Sequence, residues 1–181
     1  MKKVLFLSGT REGHTAKINA FIAQELQKKQ AIAVESYTLE QALEQKVDLA
    51  SFNAIVIGAS IHYGHFPKAL NTLVQANLQT LAQVPSFFFG VNLTARKPEK
   101  RQVETNVYVR KFLQNTPWQP QAVGVFAGAL NYSQLNFFDR NMIRFIMWLT
   151  GGDTDPQTNK VYTNWEDVEA FAQTIFNSTI L

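Results

Sequence analysis

At 181 residues, with 46% hydrophobic and 17% charged side chains and a net charge of +3, the chain has the makeup of one folded domain and not of a disordered segment. It has no cysteine, which excludes disulfides, thiolate metal sites and cysteine nucleophiles. No stretch approaches the roughly 18 apolar residues of a transmembrane helix, and the opening apolar run ends at Leu7, too short for a secretion signal; a cytoplasmic protein is the expectation.

Val4-Leu5-Phe6-Leu7 reads as a buried first strand ended by Ser8-Gly9. From His14 to Lys29, the residues Ile18, Phe21, Ile22, Glu25 and Leu26 recur at three- and four-residue spacing, which predicts a helix. Between them lies Gly9-Thr10-Arg11-Glu12-Gly13-His14-Thr15. A loop from the carboxyl end of a strand to the amino end of a helix aims unpaired backbone N–H groups and the positive end of the helix dipole at one spot. Gly9 and Gly13 allow tight turning, while Ser8, Thr10 and Thr15 add hydroxyl donors. The lysine-bearing nucleoside triphosphate loop and the Gly-x-Gly-x-x-Gly fingerprint are both missing. The loop therefore suits a single terminal phosphate, or else is a plain strand-to-helix turn.

Further along, strands are predicted over Ala31–Tyr37, Ala54–Gly58, Pro85–Val91 and Ala122–Ala129. Helices are predicted over Phe66–Leu81, 99–115, 134–149 and Trp165–Phe176, with a Gly151-Gly152 break before the last. Alternation of apolar strands with helices implies an α/β fold with a parallel sheet and helices on both faces; five strands with a phosphate loop after the first suggest the order 2-1-3-4-5. Ligands of such sheets bind outside the carboxyl ends of the strands.

The loops after the first, third and fourth strands should meet there. The third-strand loop is Gly58-Ala59-Ser60-Ile61-His62-Tyr63-Gly64-His65, whose small residues permit close approach and whose Tyr63 can stack on a flat ligand. The fourth-strand loop begins Val91-Asn92-Leu93, with Asn92 offering a donor and an acceptor. Together they favour a planar, phosphorylated cofactor over ordinary turns. His14, His62 and His65 are poorly spaced for a metal, and none is expected. No Ser/His/Asp set or acidic pair stands out, so no catalytic residue is assigned.

Residues 94–111 carry a net +4 and residues 151–181 a net −4. A basic segment of this kind meets an anionic ligand, a membrane surface or nucleic acid, or is a solvated face. Beyond Tyr108 it lacks aromatic residues for base stacking, so no nucleic-acid partner is expected. In the 134–149 helix, Leu135, Phe138, Met142, Phe145, Ile146 and Leu149 form one apolar face, expected to pack on the domain. Phe137, Arg140, Arg144 and Trp148 form a second, aromatic and basic stripe suited to a membrane interface; the alternative is a helix buried on both sides, with both arginines snorkelling to water.

The loop at 9–15 resembles the flavodoxin phosphate loop. Gly-Ala-Ser-Ile-His-Tyr-Gly-His (58–65), Val-Asn-Leu-Thr-Ala-Arg-Lys-Pro-Glu-Lys-Arg (91–101), Ala-Gly-Ala-Leu (127–130), Gly-Gly-Asp-Thr-Asp (151–155) and Val-Tyr-Thr-Asn-Trp-Glu (161–166) resemble the quinone-dependent protoporphyrinogen IX dehydrogenase family. The resemblance implies a single flavodoxin-like domain over 1–181, a three-layer sandwich with an apolar helical insertion around 131–150. It implies FMN held by Ser8, Gly9, Thr10, Arg11, Glu12, Gly13, His14 and Thr15 at the phosphate. Ala59, Ser60, Ile61, Tyr63, Gly64, Val91, Asn92 and Leu93 would lie along the rest of the cofactor.

The implied activity is oxidation of protoporphyrinogen IX to protoporphyrin IX, with electrons passed to menaquinone or ubiquinone, a late step of haem synthesis. Removing six electrons requires three cycles of a two-electron flavin. A peripheral place on the cytoplasmic face of the bacterial inner membrane follows, with Arg96 or Lys97 expected on a substrate propionate. The chain departs from the family at Gly9 and His14, where serine and a side-chain amide are usual. It departs from electron-carrier flavodoxins in being basic and in lacking a stacking tyrosine after the fourth strand. An electron-carrier flavodoxin and an NAD(P)H:quinone reductase of the same fold are the alternatives.

Overall fold

Successive residues of a strand face opposite sides of a sheet, and the inner strands here are apolar on both sides. β1 (Lys2–Gly9) sends Val4 and Phe6 one way and Leu5 and Leu7 the other, and all four are buried. β3 (Ala54–Ser60) and β4 (Ser86–Val91) follow the same rule. Phe87, Phe88 and Phe89 are fully buried, each worth roughly 1.5–3 kcal/mol of apolar burial.

In the computed structural model, which describes residues 1–179, these strands join β2 (Ile32–Thr38) and β5 (Ala122–Phe126). The five form a parallel sheet of order β2-β1-β3-β4-β5, as expected. α1 (His14–Lys29) and α7 (Trp165–Thr179) cover the face carrying Val4, Phe6, Val56, Phe87 and Phe89. α2 (Leu39–Glu44), α3 (Lys68–Ala76), α4 (Leu78–Gln83) and α5 (Val107–Asn115) cover the other.

Several boundaries differ from the expected ones. The 66–81 helix is two, because Asn77 turns out of helical geometry and its side-chain amide takes the Leu73 carbonyl. The 99–115 helix starts only at Val107. Pro98–Lys100 is a 3-10 turn, and Asn106 caps α5 by accepting from the Val109 N–H. α2 was not expected, although Thr38 and Gln41 form a capping box at its start.

The fifth strand ends at Phe126 rather than Ala129. Beyond it, β6 (Ala129–Asn131) pairs antiparallel with β7 (Asn159–Val161), and α6 (Phe137–Leu149) lies between them in sequence. This excursion has its own small core of Leu130, Tyr132, Leu135 and Met147. The Tyr132 hydroxyl donates to the Asp153 carbonyl at 2.7 Å, and the Asp153 carboxylate accepts from Tyr162 and Lys160. Those two bonds hold the Asp153 carboxyl below its ordinary range, and burial with the Asp153 contact pushes the Tyr162 phenol up. A side chain at Gly152 would stand 2.3 Å from Met147 Cε and displace that methionine, while Gly151 takes a positive φ of 68°.

The two faces of α6 are not disposed as expected. Phe138, Phe145, Ile146 and Leu149, assigned to the domain, are exposed, as are Phe137 at 79% and Trp148 at 69%. Asp139 and Met147 are buried instead. Arg140 and Arg144 turn inward, donating to the carbonyls of Leu135 and Thr154. Helical spacing identifies neighbours on a helix but not which side the domain occupies.

Candidate active site

The loop between β1 and α1 is built to receive an anion. Gly13 caps α1 at φ 78°, with no side-chain cap, and no acidic residue stands in the first turn. The helix N–H groups there keep their donors and their dipole. Thr15 is fully buried, and among the described residues its hydroxyl has no hydrogen-bond partner. Leaving such a group unsatisfied costs about 1–3 kcal/mol, and a phosphate oxygen would satisfy it. Thr10 closes the loop by accepting from the Gly13 N–H at 3.0 Å. The donor set fits a phosphate.

The cavity above this loop is walled by Thr10, Arg11, Glu12, His14 and Thr15, by Ser60 and Ile61, and by Val91, Asn92 and Leu93. Ser8, Gly9, Gly13 and Ala59, also expected at the cofactor, do not line it; Ser8, Gly9 and Ala59 lie within the sheet. Gly9 does not serve as a turning residue. A Cβ there would meet Leu39 Cδ1 at 2.6 Å, so the glycine permits close packing. Asn92 is buried and its oxygen accepts from the Ala95 N–H and from Asn106, which fixes the loop around it. His62, Gly128, Ala129, Leu130, Asn131, Leu135 and Ile143 complete the wall. None of these was expected as a cofactor contact; the small run Ala127-Gly128-Ala129 after the fifth strand was the available signal.

A second, more apolar groove adjoins the first. It contains the expected Tyr63 and Gly64, with Tyr108, Asp139, Met142 and Ile146. Ile61, His62, Asn92, Leu93 and Ile143 line both spaces, so the two share a wall. α6 is one wall of the groove. Facing it is a tight turn closed by reciprocal bonds between His62 and His65, 2.9 and 3.0 Å. Its central residues have positive φ, 49° at Tyr63 and 79° at Gly64. An aromatic residue rarely adopts this conformation. The Tyr63 hydroxyl donates to Asp139 Oδ1, and Asn136 Nδ2 donates to Oδ2 at 2.9 Å.

Two imidazoles have assigned tautomers. A guanidinium can only donate, so His62 Nε2 accepts from Arg11 and its hydrogen lies on Nδ1. Thr163 gives its hydrogen to the Ala127 carbonyl at 2.7 Å, so it accepts from His14 Nε2 at 2.7 Å. Burial lowers both pKa values, aided at His62 by Arg11 and at His14 by Lys17. Burial raises that of Glu12 against the pull of Arg11, with Asp139 adding to the rise.

Arg96 and Lys97 line neither space. The Arg96 guanidinium donates to the Leu93 carbonyl and to the carbonyl and hydroxyl of Thr150, tying the fourth-strand loop to the end of α6. Among the described residues no helix is long and apolar enough to cross a membrane.

A family model described as a flavodoxin domain matches residues 5–157. A protoporphyrinogen IX dehydrogenase (quinone) of Leishmania major is 45% identical over 170 residues, covering 94% of this chain and 73% of its own length. The protein of the same name in Escherichia coli strain K12 is 42% identical over 177 residues, covering 98% and 96%. A solved flavodoxin from the domain Archaea superposes with a TM-score of 0.52 at 12% identity, covering 98% of each chain, a likeness of fold alone.

Proposed function

This chain belongs to the flavodoxin-domain family and, within it, to the protoporphyrinogen IX dehydrogenases, and we propose that it oxidises protoporphyrinogen IX with FMN as cofactor and a quinone as acceptor. The family and fold indicate a flavin. FMN is the form with one terminal phosphate, which the cradle at 10–15 suits. When bound, it supplies the two-electron chemistry that the side chains lack.

The polypeptide binds, orients and excludes water. The first turn of α1 and the Thr15 hydroxyl hold the phosphate, while Ser60, Ile61, Asn92 and Leu93 flank the remainder. The groove walled by α6, the Tyr63 turn, Tyr108 and the fourth-strand loop seats the mostly apolar substrate. The observation that carries this reading is the adjacency of the two spaces, which share five lining residues. A tetrapyrrole in the groove abuts whatever is anchored in the cradle. The outer face of α6, with its exposed aromatic residues, rests on a membrane surface, where a lipid-soluble quinone is found.

The test is anaerobic addition of protoporphyrinogen IX to the FMN-loaded protein. Bleaching of the flavin with a rise in porphyrin absorbance is the expected result. Bleaching by NADPH but not by the porphyrinogen would identify a quinone reductase instead. Bleaching by neither would leave an electron carrier.

A further inference from the structure

Among the described residues Asp139 is the one carboxylate in the wall of the groove, and it lies 5% exposed on a helix whose other side is apolar. Both its oxygens are engaged, Oδ2 by Asn136 and Oδ1 by the hydroxyl of Tyr63. Tyr63 is 52% exposed and holds its ring in the groove from a backbone conformation unfavourable to aromatic residues. Strain of that kind persists where surrounding contacts impose it, and it clusters at functional sites. The hydroxyl spends its hydrogen on Asp139, which leaves its oxygen free to accept. A donor placed in the groove would find an acceptor backed by a buried negative charge. The other basic atom in the groove, His62 Nε2, is already occupied by Arg11.

Resting on the function proposed above, each two-electron step on a porphyrinogen removes two hydrogens. One leaves a bridging carbon with the electron pair, taken up by the oxidised flavin. In one of the three steps the other leaves the last bridging carbon, since the porphyrin keeps two N–H groups; in the other two it leaves a pyrrole nitrogen as a proton and needs a base. We propose that this proton passes to Tyr63 Oη as the Tyr63 proton passes to Asp139 Oδ1, so that Asp139 is the final proton acceptor of the half-reaction. The N–H bond of the substrate breaks and a carboxyl O–H bond forms. After the product departs, the proton returns through the same hydroxyl to water.

The test uses the FMN-loaded protein, anaerobic protoporphyrinogen IX and stopped-flow bleaching of the flavin. Positioned acid–base groups contribute about 10²–10⁴-fold, so Asp139→Asn should bleach about 100-fold or more slowly than wild type, and Tyr63→Phe should also be slowed. Both variants should keep the wild-type FMN dissociation constant, measured by flavin fluorescence in the absence of substrate. Asp139→Gly opens space for a small carboxylate, and added formate should restore a large part of its rate while leaving wild type unchanged. A purely structural role for Asp139 predicts no such rescue. Wild-type bleaching in Asp139→Asn, or an Asp139→Gly variant that binds FMN yet ignores formate, would overturn the proposal and leave the function standing. Absence of bleaching in wild type would overturn the function, and the proposal with it.

Discussion

Thr15 separates folding from binding at one atom. Its hydroxyl is buried at the start of α1 and has no partner among the described residues, so the protein alone gains nothing from it. Thr15→Val removes the hydroxyl at nearly constant volume. Thermal unfolding without ligand should be unchanged or slightly raised. FMN should bind at least tenfold more weakly, since a hydrogen bond to a charged acceptor contributes about 1.5–3 kcal/mol. Riboflavin, lacking the phosphate, should keep its affinity in the same fluorescence titration. Equal losses for both ligands would remove Thr15 from the phosphate. In the sequence Thr15 stands out because glycine and hydroxyls before an apolar helical repeat point to an anion; its burial without a partner comes from the fold. Gly9 was not legible as a packing glycine, because the need arises from Leu39 on a different helix.

At the scale of elements, what was legible followed local rules and what was missed depended on distant partners. α1 runs over the expected residues because its apolar repeat and its flanking loop agree. The parallel sheet followed from the alternation of elements, and its order from five strands with the anion loop after the first. β6 and β7 have three residues each and pair across 28 or more positions, too short for any periodicity to reveal. Arg96 shows the same limit. Its sequence neighbours suggested a ligand for carboxylates, whereas its donors bind the Thr150 end of α6. Arg96→Gln should therefore loosen the last turn of α6 and the turn after it, seen as faster amide hydrogen exchange over residues 146–154. Lys97→Gln should leave that exchange unchanged. Equal exchange in Arg96→Gln and wild type would show that the tie is not what holds the helix end.

For the whole molecule, α6 joins the groove to the outside. Its inner edge contributes Asp139, Met142, Ile143 and Ile146 to the groove, and its outer face exposes Phe137, Phe138, Phe145 and Trp148. So many large apolar side chains on one short exposed helix are unusual for a surface that meets only water. The two arginines that gave this helix a basic stripe in the sequence are spent on internal carbonyls, so contact with lipid would rest on apolar insertion. Burying each aromatic side chain contributes roughly 1.5–3 kcal/mol. Charge attraction through the basic segment at 94–111 is the competing source of membrane affinity, and salt separates the two because it screens exposed charges within about 10 Å at 0.1 M. The expected outcome is that vesicles containing anionic lipid sediment the wild-type protein in low and high salt alike. Replacing Phe137, Phe138, Phe145 and Trp148 by serine should leave the protein in the supernatant with FMN affinity unchanged, because these side chains are outside both spaces of the site. Release of wild type by salt would assign the contact to the basic segment, and sedimentation of the fourfold variant would remove α6 from the membrane surface.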